Sequence, residues 1–198
     1  MNFLAHIYLS GESEELLIGN FIADFIKGNR YDHYSDEIIR GIQLHRAIDQ
    51  FTDQHVMVKK GTKRLRPLYG KYSSVIIDVF YDHFLAKNWA LYHDNSLQDH
   101  AQHVYSIFNK YMHQLPARVQ SFIPSMIQHN WLVNYGKFYG IERSLESIAK
   151  RARFKNNMAN AIEALKKDYK HLDKEFNLFF PYVIEYSKRF IADELDDE

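Results

Sequence analysis

The sequence predicts an all-α fold, a single-domain helical bundle, on three observations. Its 198 residues include only four prolines and eight glycines, too few for a turn-rich β fold. Two long segments, 38–53 and 75–92, repeat apolar residues at the three- and four-residue spacing of an amphipathic helix. Hydrophobic residues make up 46% and aromatics 15%, ample for one core in a chain of this length.

The elements follow in order. Residues 2–9 are a short apolar opening segment, and Ser10-Gly11-Glu12-Ser13 is a turn with Ser13 as a helix cap. Residues 14–26 read as a helix closed by the stop Lys27-Gly28-Asn29. Ser35 caps the next helix, which reaches about residue 53. Gly61, Pro67 and Gly70 then punctuate a basic connector, and an aromatic-rich helix covers about 73–92. Further helices are expected over 96–115, over 117–139 with a bend at Pro124, and from Gly140 to 153. The last run, 155–180, is interrupted by Pro181 before 182–195, and 193–198 reads as a frayed acidic tail. No Ser/Gly linker divides the chain, so helices within about 1–92 carry the site and those of about 96–195 support it.

The informative anomaly is polar. At 100° per residue, Ile38, Ile42, His45 and Asp49 share one face of their helix, with Arg40, Gln43, Ala47 and Gln50 opposite. His45 and Asp49 thus sit on the inward stripe one turn apart, an H-x-x-x-D spacing that lets two side chains reach one ion. A hydrogen-bonded His–Asp pair tying helices together has the same spacing. On the next helix Val75, Asp78, Asp82, Leu85 and Trp89 fall along one line. Two carboxylates on so apolar a helix repel each other and suffer desolvation, costs that a divalent cation relieves together. Asp24 lies among Phe21, Ile22, Phe25 and Ile26 late in a helix, where the macrodipole disfavours an acid. His83 is a flanking histidine that reads as a site residue or as a core histidine bonded to backbone, and His6, between Ala5 and Ile7, reads on local evidence as a satisfied core histidine. His93, His100, His103, His113 and His129 read as solvated surface.

Other classes drop out. There is no cysteine, hence no disulfide or thiolate ligand, and formal net charge is zero. No G-x-G-x-x-G, Walker or serine-elbow motif occurs. The first residues lack the pattern of a signal peptide and no run suffices to span a bilayer, so a cytoplasmic location is expected. Between Asp53 and Asp78 there is no acid, while Lys59, Lys60, Lys63, Arg64 and Arg66 crowd the connector. Such a run is either a solvated face or a dock for an anionic partner, an acidic protein rather than nucleic acid, since no aromatic array offers a stacking platform.

The strings MNFLAHIYLS, GNFIADFIKG, GIQLHRAIDQFTDQH and DVFYDHFLAKNW, together and in this order, resemble the acyl carrier protein phosphodiesterases. The resemblance continues through LPARV and NWLVNYGKFYGI to about Arg153. It implies hydrolysis of holo-acyl carrier protein to the apo-protein and 4′-phosphopantetheine, with a divalent metal, typically manganese, and a distant relation to HD-type phosphohydrolases. Where HD enzymes carry adjacent His-Asp, the candidate helix has Asp82-His83 in reverse order. The expected metal ligands are Asp24, His45, Asp49, Asp78 and Asp82, with His6 and His83 as a further ligand or the general acid. Carboxylate-rich ligation favours Mn2+, with Mg2+, Fe2+ or Zn2+ as alternatives. Lys59, Lys60, Lys63, Arg64 and Arg66 are expected to hold the acidic carrier. The competing readings are an HD-like phosphohydrolase of a small phosphoester or nucleotide, and a non-catalytic carrier-binding module.

Overall fold

The computed structural model describes residues 1–28 and 31–193. Asn29 of the expected helix stop and residues 194–198 of the expected tail lie outside them. The fold is all-α, with no strand among the described residues. Helix α1 (Phe3–Tyr8) is followed by α2 (Glu14–Ile22), which tightens into a 3-10 turn at Ala23–Phe25, and by α3 (Asp36–Gln54). The predicted caps form: Ser13 Oγ accepts from the Leu16 amide at 3.2 Å and Ser35 Oγ from the Ile38 amide at 3.3 Å.

Next come α4 (Val56–Tyr69), α5 (Ser73–Lys87) and α6 (Leu97–Lys110), the last capped by Ser96. The basic segment is therefore a helix, not a punctuated connector. Val58, Gly61, Leu65 and Tyr69 are buried at helical spacing, and that stripe outweighs the low propensity of Gly61 and Pro67. The second half holds α7 (Ala117–Gln128), α8 (Trp131–Asn134), α9 (Phe138–Arg151), α10 (Ile162–Lys167) and α11 (Tyr169–Ile191). Two expected breaks move. Helix α7 runs through Pro124 and ends ahead of Asn130, which takes a left-handed φ of 45°. Helix α11 continues through the exposed Pro181.

Helix α5 lies at the centre: Ile76, Ile77, Val79, Phe80, Tyr81, Phe84 and Leu85 are fully buried, against α1, α4, α9 and α11. Burying so much apolar surface is the main stabilising term of the fold. Helices α2 and α3 meet backbone to backbone. A Cβ on Gly19 would lie 2.0 Å from the Ile38 carbonyl oxygen, and one on Gly41 2.3 Å from that of Leu16. Only glycine permits this approach. It brings Asn20, the next residue on α2, against the turn of α3 that carries His45.

Candidate metal centre

Three elements converge at the amino-terminal end of the bundle. Helix α1 presents His6, α3 presents His45 and Asp49, and the 3-10 turn after α2 presents Asp24. The rings of His6 and His45 stack with centroids 3.8 Å apart and planes 15° from parallel. Asp49 bridges their edges: Oδ1 is 3.2 Å from His6 Nε2, and Oδ2 is 3.3 Å from His45 Nε2. Asp24 Oδ1 approaches the same His45 nitrogen at 3.3 Å from an exposed position. Ligand atoms of His6, His45 and Asp49 all lie within 4.8 Å of one another, a group able to hold a metal ion.

Asn20 fixes the histidines. Its Oδ1 accepts from His6 Nδ1 and its backbone carbonyl from His45 Nδ1, each at 2.8 Å. The same amide donates through Nδ2 to the His6 carbonyl at 2.9 Å and to Ser10 Oγ at 3.0 Å, which sets the amide's orientation. Both Nδ1 atoms face acceptors, so Nδ1 carries the proton in each neutral ring and Nε2 keeps its lone pair. Both Nε2 atoms are buried, and neither has a hydrogen-bond partner. Orphaned buried nitrogens facing one carboxylate, with Nδ1 held from behind, suit a divalent metal of the borderline class.

The electrostatics are polarised. Burial lowers the His45 pKa, but the adjacent carboxylates of Asp24 and Asp49, each 3.3 Å from Nε2, outweigh it and push the value up to about 9. His6 goes the other way, to about 4, through burial and the neighbouring His45 charge. For Asp49 burial acts upward, but both histidines and the amino terminus hold its carboxyl well below the usual range. The Met1 ammonium, itself buried, lies 3.3 Å from Asp49 Oδ1 and 3.0 Å from Asp78 Oδ1.

Of the expected ligands, His45 and Asp49 thus come together with His6, and Asp24 stands at the rim. Asp78 is connected only through the ammonium. Asp82 is not in the group, because its oxygens accept from the backbone amides of Leu4 at 2.8 Å and Ala5 at 3.2 Å, at the start of α1. Burial nonetheless raises its carboxyl to about 7. His83 also falls elsewhere: Nδ1 pairs with the Tyr135 carbonyl and Nε2 with the Tyr169 hydroxyl, so both ring nitrogens are spent. Arg64 is not available to a partner, since its guanidinium grips Glu175 with bonds of 2.9 and 2.6 Å. Lys59, Lys60, Lys63 and Arg66 are exposed on α4, and none forms an ion pair with a described residue.

Sequence reasoning missed Asn20, whose signal was a lone amide in the apolar run Leu16–Ile22. It also passed over the adjacent pair His93-Asp94. His93 and His100 are not solvated surface: both pack on Trp89, with ring centroids 5.1 and 4.8 Å from it, beside a cavity of about 540 Å³.

The comparisons with known proteins agree with the resemblance of the motifs. The family model described as acyl carrier protein phosphodiesterase matches residues 1–183, beyond the stretch over which the motifs are legible. The acyl carrier protein phosphodiesterase of Yersinia pestis is 34% identical over 185 residues, covering 93% of this chain and 96% of that protein. Those of Photorhabdus laumondii and Pectobacterium atrosepticum are each 30% identical, covering 93% and 95% of this chain and 94% and 98% of theirs. No solved structure gives a significant match. Likeness that runs through the motif-bearing helices and on into α11 makes this chain a member of the acyl carrier protein phosphodiesterase family.

Proposed function

We propose that the protein hydrolyses the phosphodiester joining 4′-phosphopantetheine to a serine of holo-acyl carrier protein, with a divalent metal held by His6, His45 and Asp49. The observation that carries the metal is the pair of orphaned Nε2 atoms facing Asp49, each ring braced through Nδ1 by Asn20. Two imidazoles and a carboxylate are compatible with manganese, iron or zinc, and manganese is the metal that the family resemblance implies, with magnesium as a further alternative. A bound divalent ion would offset charge on the phosphoryl oxygens and lower the pKa of water.

The chain's own residues divide the remaining work. Asn20 holds both imidazoles in the tautomer that leaves Nε2 free. Asp24, ionised and exposed beside His45, is placed to take a proton from the attacking water. Water adds to phosphorus as Asp24 takes its proton, the bond to the serine oxygen breaks, and Asp24 returns that proton to the departing serine oxygen. The exposed cations Lys59, Lys60, Lys63 and Arg66 form the dock for an acidic carrier, steering encounter more than adding affinity. No described helix is long and apolar enough to cross a membrane.

Intact-mass analysis of holo-acyl carrier protein incubated with the protein, with Mn2+ or with EDTA, tests this reading. Loss of about 340 Da, the phosphopantetheinyl group, is expected only with the metal. An unchanged mass in both arms rejects the activity.

A further inference from the structure

A second cavity, of about 310 Å³, is lined by the residues that lead into α1, the helix that carries His6. Asn2 and Phe3 line it, and they follow Met1, whose ammonium touches Asp49 and Asp78. Its size is at the lower end of small-molecule pockets, which run from about 300 to 1,000 Å³. The two sites share an aromatic wall. Phe25, next to Asp24, stacks at 6.5 Å on Phe3, Phe3 at 6.0 Å on Phe122, and Phe122 at 6.0 Å on Trp131. Trp131 and Phe3 line the cavity, so the wall runs from the rim of the centre into it.

Apart from Gly140 and Ile148, the remaining lining is polar, and it carries no acid. Asn2 Nδ2 donates to the Tyr135 hydroxyl at 3.1 Å, and Asn134, Ser144 and Ser147 add further amide and hydroxyl groups. Arg143 and Arg151 line the same space, and neither is paired with a carboxylate among the described residues. Aromatic walls, neutral donors and acceptors and two guanidiniums fit a slender chain rich in amide carbonyls, bearing a phosphate at one end. The larger cavity beside His93 and His100 fits this less well. It opens at Tyr8 and Ser13, beyond the far end of α1 from Met1, and arginine is absent from its lining.

We propose that this cavity receives the pantetheine arm of the substrate, Arg143 and Arg151 donating to its amide carbonyls while its phosphate lies at the centre of His6, His45 and Asp49. The inference rests on the hydrolase reading above. The cavity would hold the departing product by its arm, and the serine side of the diester would face outward to the carrier.

The test uses the full chain with Mn2+ and two variants at exposed positions, Ser147→Trp to fill the cavity and Arg143→Ala to remove a donor. Calorimetric titration with 4′-phosphopantetheine should show binding by the wild type and at least about tenfold weaker binding by Ser147→Trp. The same variant should lose at least about tenfold in kcat/KM on holo-acyl carrier protein. Inorganic phosphate, which has no arm, should bind all three proteins alike, and the melting temperatures should agree. Wild-type affinity for 4′-phosphopantetheine in both variants overturns the proposal. So does a parallel loss of phosphate binding, or tighter binding of AMP than of 4′-phosphopantetheine, which assigns the cavity to a nucleotide. If 4′-phosphopantetheine binds and Ser147→Trp abolishes that binding while the wild type leaves holo-carrier uncut, the hydrolase reading falls and the arm site stands.

Discussion

Replacing Asn20 with alanine would separate the bracing of the histidines from their presence. The substitution removes three side-chain hydrogen bonds, of 2.8, 2.9 and 3.0 Å, from a fully buried position. The His6 carbonyl stays satisfied, because Ser10 Oγ also donates to it at 2.8 Å, and that same bond keeps Ser10 partnered. His6 Nδ1 is the group left bare. An unsatisfied buried donor costs about 1–3 kcal/mol and each of the other two bonds about 0.5–1.5, so a loss near 4 kcal/mol is expected. For a chain of this size that is roughly 8–16 °C in melting temperature. Metal affinity should fall about 10- to 100-fold, because a ligand histidine loses the partner that fixes its tautomer and its plane. Calorimetric Mn2+ titration of the wild type, Asn20→Ala and Asn20→Asp gives the answer. Aspartate keeps the acceptor for His6 Nδ1 while losing the donations to the His6 carbonyl and Ser10, so it should bind metal better than alanine does. A folded Asn20→Ala with a Mn2+ Kd within about twofold of the wild type would refute the bracing argument.

Three further outcomes are expected. Asp49→Asn should lower kcat/KM by about 1,000-fold or more and abolish Mn2+ binding while helical circular dichroism is unchanged, since one carboxylate serves both histidines. Gly19→Ala should destabilise by about 3 kcal/mol or more in urea unfolding, because its Cβ would sit 2.0 Å from the Ile38 carbonyl oxygen, and near-normal stability would contradict the close approach. His100 is held near a pKa of about 4 by burial, with the charges of His93 and His103 adding to it. The unfolded chain takes up that proton near pH 6.5 but the folded one does not, so stability is lost as pH falls from about 6.5 to 4. A scan of melting temperature against pH should show this acid loss shrinking by about 3–6 °C in His100→Gln.

The helical fold was legible because stripes such as Ile38, Ile42 and His45 repeat at the helical period and are buried as that period requires. Half of the centre was legible for the same reason, His45 and Asp49 standing on the inward face. What failed was the step from an inward acid to a ligand. Asp82 on α5 has the signature of a metal carboxylate, yet its charge is met by two backbone amides of another helix, a partner that side-chain spacing does not reveal. Arg64 likewise reads as one more cation of a basic run until Glu175, 111 residues away, is folded against it. Asn20 escaped because its importance lies in which backbone comes near, and that depends on Gly19 and Gly41 rather than on any pattern of acids.

The bond between Asp82 and the start of α1 has a consequence for order. A helix of six residues has no stability of its own, and chain ends fray first. Here α1 is fastened by a carboxylate of α5 at its second and third residues and by the braced ring of His6 at its fourth. An ion shared by His6 with two side chains of α3 would add a clasp between the chain end and the body of the fold. Metal capture and docking of the first helix then become one equilibrium. The amides of α1 should exchange with solvent readily in the metal-stripped protein and slowly in the loaded one, while those of α5 hardly change.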